Sequence, residues 1–336
     1  MMSNRATPRK TLAACATLVV TLFAAILLTS LFGSEPLPAR ASICAILSLG
    51  NSSCGLTLDQ MAILLEIRLP RILLAGAVGA SLAAAGASYQ ALLRNPLAEP
   101  YLLGISNGAA VGTMIALVFF GAVEWSRPLM AFAGAVLASL VVYRLARGRA
   151  GTTPERLILA GVIVTTFLSS AIVFVTTLMD ATRIRSFTFW LLGDLSGTSP
   201  RLLGFAIVVA IAGTLLLTAN ARSLNLLMLG ERDAFDLGVE VKRVRIIVFS
   251  AASLLVGSSV AASGSVGYVG LVVPHLVRLS LGSDNRIAVP AAALAGALFV
   301  VVADTVARTI IAPRELPVGA ITALIGAPLF VYLLKR

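Results

Sequence analysis

The sequence predicts an all-α polytopic membrane protein with about ten transmembrane helices, some of them broken, forming a single transmembrane domain over 1–336. Three observations carry this. The chain is 58% hydrophobic, only 12% charged, and has a mean hydropathy of +0.97, whereas soluble domains carry about 25% charged residues. Apolar stretches long enough to span, or nearly so, run 11–32, 72–93, 101–123, 128–143, 157–179, 202–221, 287–307 and 316–334. A further run, Ile246 to Val277, has no charged residue at all. A transmembrane barrel would show strands of about ten alternating residues, and no such alternation is present.

Taken in order, the first stretch resembles a secretory signal, with Ala39-Arg40-Ala41 as a candidate cleavage site. Its apolar core at 11–32 is longer than the roughly 7–15 residues of a signal, so it is read as a retained first helix. Cys15 lies in that helix, and Cys44 and Cys54 in the loop after it. These two either pair in an oxidising compartment or stay as two small unpaired residues, and spacing leaves both open. Gly76 and Ala80 in the second span, and Gly104, Gly108 and Gly112 in the third, recur at the four-residue interval of close helix packing.

Connections are short except two. The 180–201 loop contains Phe189-Trp190-Leu191-Leu192-Gly193-Asp194, and the 221–245 loop reads ARSLNLLMLGERDAFDLGVEVKRVR. They flank the sixth span, a placement that suits two five-helix halves of inverted orientation. The run 246–277 is too long for one span and too short for two. Gly257, Gly264, Gly267 and Gly270 precede Val272-Val273-Pro274-His275 and mark a helix that breaks. Broken helices at membrane depth occur where the backbone is buried in protein or lines a cavity. Gly264, Gly267, Gly270, Pro274 and His275 are therefore the candidate gate.

Counting this run as two spans gives ten, with both termini on one side. Arg40, Arg68, Arg71, Arg127, Arg183, Arg185, Arg201, Arg308 and Arg314 then face outside, and the other 17 of the 26 Lys and Arg face inside. That is the cytoplasmic excess of the positive-inside rule, and it explains the net charge of +11 without a nucleic-acid partner. Nine spans would place a basic terminus on the wrong side.

Enzyme readings fail on residue types. None of the three lysines (Lys10, Lys242, Lys335) follows a glycine, so no phosphate-cradling loop exists. The single histidine, His275, has no cysteine or second histidine at ligand spacing. No catalytic residue, metal or cofactor is expected on this chain, so energy must come from an ion gradient or another subunit. An ion-coupled carrier would use a carboxylate inside the membrane, for which Asp304 and Asp180, both at outer span ends, are the candidates, or the carbonyls of an unwound helix. The 221–245 loop favours another subunit. Acidic Glu231 and Asp233 open a short helix that Gly238 closes, after a Leu-rich helix ending at Gly230. Such an apolar-and-charged knob suits a groove on a partner protein; the alternative is a helix lying on the bilayer. On the other side, Arg68, Arg71 and Arg308 either snorkel to the membrane interface or, if clustered and outward-facing, receive carboxylates of a soluble partner.

These residues form a recognisable set. Arg68-Leu69-Pro70-Arg71, Asn95-Pro96-Leu97-Ala98-Glu99-Pro100 with Leu103-Gly104-Ile105-Ser106-Asn107-Gly108, Leu229-Gly230-Glu231 with Leu237-Gly238, Gly267-Tyr268-Val269-Gly270-Leu271-Val272-Val273-Pro274-His275, and Glu315-Leu316-Pro317-Val318-Gly319 occur in order. Over nearly its whole length the chain resembles the permease of type II ABC importers for iron chelates, haem and cobalamin. The resemblance implies ten helices per chain and a homodimer around one pathway in a bacterial inner membrane, with both termini cytoplasmic. It also implies two cytosolic ATPase subunits, which carry ATP and Mg, and a periplasmic substrate-binding protein. Leu224, Leu229, Gly230, Glu231, Ala234, Leu237 and Gly238 would then form the ATPase-coupling element, and Arg68, Arg71 and Arg308 would dock the binding protein. A ferric siderophore is the first cargo expected, with cobalamin or haem as alternatives.

Overall fold

The computed structural model describes residues 8–33, 35–48, 50, 52, 54–120, 125–148 and 151–334. Both termini, and with them Arg5, Lys335 and Arg336 of the charge balance, lie outside the described residues, as does Arg149. The chain runs α1 (Pro8–Leu31), α2 (Ala39–Leu47), α3 (Leu58–Ala62), a π-helical turn (Ile63–Arg68) and α4 (Leu69–Leu92). A 3-10 turn (Pro100–Leu103) leads into α5 (Ile105–Phe119) and α6 (Ser126–Ala146), and a two-residue antiparallel ladder pairs Arg147 with Thr152. Then come α7 (Pro154–Thr176), α8 (Ala181–Leu191), α9 (Pro200–Ala219), α10 (Ala221–Leu229) and α11 (Glu231–Asp236). The chain closes with α12 (Val241–Ser263), α13 (Val269–Leu281), α14 (Asn285–Thr309) and α15 (Val318–Leu334).

Helix starts follow elementary capping chemistry. Pro154 and Pro200 occupy the first turns of α7 and α9, where a missing N–H costs nothing. Thr153 and Ser199 before them accept the backbone N–H of Arg156 and Leu202. Asp180 caps α8 in the same way, at 2.9 Å from the Arg183 nitrogen. Among the described residues six helices are long and apolar enough to cross a membrane: α1, α6, α7, α9, α12 and α14. α5, α13 and α15 are shorter apolar helices.

α4 is the axis of the bundle. From Arg71 to Leu92 nearly every residue is buried, and α14, α12, α13 and α9 pack around it. Its sequence, GAVGASLAAAGAS, explains why: small side chains let neighbouring backbones approach closely, the main source of helix association where no hydrophobic drive exists. A Cβ on Gly79 would overlap the Gly296 carbonyl of α14, and one on Gly86 would overlap the Gly270 carbonyl of α13. Pro274 has no N–H to return to the Gly270 carbonyl, which helps expose that oxygen at the crossing. Around this axis, Phe23, Leu137, Phe167 and Leu215 are exposed apolar side chains on α1, α6, α7 and α9.

Several expectations are refined. Gly108 and Gly112 do meet α6 backbone, at Gly134 and Met130, but Gly104 is not on α5. It sits at φ +75° between the 3-10 turn and α5 and packs on Val164 of α7. In α4 the close crossing falls on Gly79, while a Cβ on Gly76 would make only an ordinary contact, 3.8 Å from Val301. The 180–201 segment is not merely a loop, since half of it is α8. Cys44 and Cys54 are joined by a disulfide, tying the end of α2 to the approach of α3.

Replacing Gly86 by valine should destabilise the folded chain by about 1–3 kcal/mol or more, because backbone rather than a flexible side chain must move. Thermal unfolding of the detergent-purified protein measures this, with Gly267→Val, where nothing lies within 4 Å of a Cβ, as the tolerated comparison.

Candidate coupling, gating and docking sites

At one end of the bundle, α10 and α11 form a compact knob. Leu224, Leu227 and Ala234 are buried and fasten it, whereas Leu229, Phe235 and Leu237 are 65%, 71% and 61% exposed. Gly230 (φ +140°) and Gly238 (φ +85°) make the two sharp turns. The expected coupling residues thus divide. Leu229 and Leu237 face outward as partner-binding side chains would, and Leu224 and Ala234 face inward. Phe235 is the largest exposed apolar group there and was not in the expected set; an aromatic between charged residues in a polar loop was its signal. Glu231 also turns inward, accepting from Arg245 of α12 and, at 3.5 Å, from Arg94 after α4. Arg245 in turn donates to the Thr152 carbonyl. A cleft of about 1130 Å³ opens beside the knob, between Tyr143, Arg147, Glu231, Phe235 and Lys242.

The knob is joined to the bundle by a second set of contacts. Asn225 of α10 donates to Asp284 (2.7 Å) and accepts the backbone N–H of Asn285 (2.9 Å). Asp284 caps α14 and pairs with Arg286 at 2.7 Å. The side-chain hydrogen bond from Arg286, with further donors from its backbone N–H and Asn225, pushes the Asp284 carboxyl down to about 2.

The break between α12 and α13 covers Gly264 to Tyr268, both with positive φ (+68° and +67°). Its backbone groups are bonded by other elements. The Tyr101 hydroxyl donates to the Val266 carbonyl and accepts the Val266 N–H, both at 2.9 Å. Glu99 accepts the Tyr268 N–H at 3.2 Å, and the Asp194 N–H donates to the Ser263 carbonyl at 2.7 Å. Just beyond, Gln90 of α4 donates to the Leu271 carbonyl at 3.2 Å. Gly264 fits only as glycine, since a Cβ would overlap the Trp190 carbonyl at the end of α8. The five expected gate residues do not form one constellation. Gly264 and Gly267 lie in the break, Gly270 and Pro274 govern the crossing with α4, and His275 packs edge-on against Phe330 of α15 at 6.3 Å. Of the residues that complete the break, Glu99 lies in a motif quoted only for the family resemblance and Tyr101 falls between the two quoted segments; a carboxylate and a phenol beside an apolar run were the signal.

At the opposite end, the three arginines expected to face outward are buried, with residue exposures of 5%, 7% and 4% for Arg68, Arg71 and Arg308. Arg68 caps α1, donating to the carbonyls of Ser30 and Glu35, where cations favour a helix C-terminus. Arg71 Nε and Nη2 lie 3.0 Å from Asp304 Oδ1, and its Nη1 lies 2.7 Å from Glu315. Arg308 Nε lies 3.0 Å from the other Asp304 oxygen, out of line for a hydrogen bond. Two guanidinium groups and two carboxylates therefore balance. Only Glu315, 43% exposed at its side chain, reaches the surface, beside a cavity of about 150 Å³ bounded by Gly193–Ser196 and Leu316–Val318. Asp304 and Asp180, the candidate coupling-ion carboxylates, are both engaged, one by two arginines and one as a helix cap with Arg183. Among the described residues no cluster of His, Cys, Asp or Glu is arranged to hold a metal.

Asp304→Ala would strand the buried Arg308 guanidinium and leave Arg71 with Glu315 alone, and should cost about 3–5 kcal/mol, read as a lowered Tm. Asp284 gives a pH signature. A carboxyl held below its ordinary range stabilises the fold above that range and loses the effect as pH falls from about 4 through about 2. Acid titration of stability should therefore be flatter in Asp284→Asn than in the parent.

The family model of the FecCD transport family matches residues 18–336. A cobalamin import permease, BtuC of Halobacterium salinarum, is 44% identical over 80% of this chain and 72% of that protein. A hemin transport permease, HmuU of Yersinia pestis, is 40% identical over 87% and 92%, and the vitamin B12 permease BtuC of Vibrio cholerae 43% over 81% and 82%. A metal-chelate type ABC transporter solved in an inward-facing conformation superposes with a TM-score of 0.84 at 30% identity, covering 97% of this chain and 99% of that one. The chain belongs to the FecCD transport family, as a permease subunit of the type II ABC importers for metal chelates, cobalamin or haem.

Proposed function

We propose that this chain forms, as a homodimer, the translocation pathway of an ATP-driven importer that carries an iron(III)-siderophore-type chelate from periplasm to cytoplasm. Each copy crosses a bacterial inner membrane about ten times, with α4, α5, α13 and α15 as spans beside the six long ones, in two five-helix halves. Both termini and the α10–α11 knob face the cytoplasm, where two ATPase subunits bind ATP and Mg. The Arg71–Asp304–Glu315 end faces a periplasmic binding protein. The observation that carries this reading is the knob itself: three large apolar side chains, Leu229, Phe235 and Leu237, stand exposed on a support fastened from within, the form expected of a plug for a protein groove. The buried arginines move the docking role to the surface they support, with Glu315 and Arg314 at its rim. Cobalamin and haem, the cargoes in the relatives' names, are a second reading with equal support. For an ion-coupled carrier the candidate carboxylates are already paired, which leaves the unwound carbonyls of the broken helix as its coupling-ion ligands.

Uptake of labelled ferric hydroxamate siderophore, cobalamin and haem by cells with and without the gene identifies the cargo. Loss of none of the three would overturn the reading. In the reconstituted complex, Phe235→Asp should reduce ATPase association about ten-fold or more, because a charge replaces a hot-spot aromatic. Association measured by co-purification checks this.

A further inference from the structure

The polar chain between the knob and the broken helix is more elaborate than a cap requires. Asn285, the first residue of α14, is fully buried, and each of its polar side-chain atoms is engaged. Its Oδ1 accepts from Arg278 Nη2 at 2.9 Å, and its Nδ2 donates to Asn225 Oδ1 at 2.8 Å. Arg278, in the last turn of α13, also donates to the Ala87 carbonyl of α4 (3.0 Å) and the Ser283 carbonyl (3.1 Å). The order is fixed from both ends. A guanidinium can only donate and a carboxylate can only accept, so Arg278 sets the orientation of the Asn285 amide and Asp284 sets that of Asn225. Neither amide can turn over without placing donor against donor or acceptor against acceptor. A network closed in this way around a buried amide is rigid, since leaving that amide unpaired is costly.

The two ends of α13 differ. Its C-terminal end is bolted through Arg278 and Asn285 to α10, whereas its N-terminal end emerges from the break at Gly264–Tyr268. With thirteen residues, α13 is a short rigid lever.

We propose that Asn285 is a positioning residue that joins the α10 knob to α13, so that displacement of the knob pivots α13 about the Gly264–Tyr268 break and alters the pathway. This rests on the coupling role proposed above for α10–α11. The test uses the complete complex, permease with its ATPase subunits and binding protein, in proteoliposomes. Cargo imported per ATP hydrolysed is measured for Asn285→Ala, Asn225→Ala and the double variant, with whichever of labelled ferric siderophore, cobalamin or haem the parent imports. Each single variant should hydrolyse ATP near the parent rate yet import about ten-fold less per ATP, since each removes the Asn225–Asn285 side-chain bond that links the knob to α13. The double variant should be no worse than the worse single, because both break one chain. Parent-like stoichiometry in either single variant overturns the proposal. So do multiplying effects, or a parallel loss of hydrolysis and import, which marks a merely structural role. If Asn285→Ala does not assemble, Asn225→Ala decides alone, since it leaves the Asn285–Arg278 bond intact. A parent complex that imports none of the three cargoes fails the proposed function instead, whatever the variants do.

Discussion

Inside a bilayer there is no water to receive an N–H or C=O that leaves a helix, so each must find a protein partner. The five residues from Gly264 to Tyr268 are where this chain meets that constraint, and much of the structure is arranged around them. The Tyr101 hydroxyl serves both the N–H and the C=O of Val266, Glu99 takes the Tyr268 N–H, and Asp194 reaches the Ser263 carbonyl. These partners come from the turn before α5 and the segment after α8. Those elements must therefore be held in register with the break, which is what the short helix α8 and the 3-10 turn at Pro100–Leu103 do. Further along, the Val318 N–H bonds the Gly193 carbonyl at 3.1 Å, so the start of α15 is drawn into the same assembly.

The second constraint is distance. Helices in lipid gain little from burying apolar surface against one another, so close backbone approach and buried polar contacts decide who packs with whom. α4 has both. Gly79 and Gly86 let α14 and α13 lie against its backbone, and the Tyr89 hydroxyl, wholly buried, bonds the Ser253 hydroxyl of α12 at 2.7 Å. One small-residue helix thereby positions both the unbroken neighbours and the broken one. The ion cluster of Arg71, Asp304, Arg308 and Glu315 fixes α4 to α14 at one end, and the Arg278 guanidinium fixes α4 to α13 at the other.

Much of this was legible in the sequence. Apolar runs placed the long spans to within a few residues, because a membrane helix is set by length and composition. The glycines of 246–277 announced the break, and Gly230 and Gly238 the turns of the knob, since positive φ favours glycine. What stayed hidden depends on partners distant in sequence. Arg71 and Asp304 are 233 positions apart, and nothing local says that an arginine beside a proline turns inward to meet a carboxylate rather than outward to meet water. Gly76 and Gly79 read alike until the crossing point of α14 chooses between them. The helix α8 escaped because Arg183, Arg185 and its polar neighbours give it the composition of a loop.

The Cys44–Cys54 bond closes a small ring between α2 and α3, outside any span. Such bonds form where the surroundings are oxidising and are rare in the cytosol. A chain recovered with this ring closed therefore carries a chemical record of which face of the membrane its first loop was delivered to. On the proposed ten-span reading, in which each crossing reverses sides, that one record assigns a side to every later connection, the knob included, without any label being introduced.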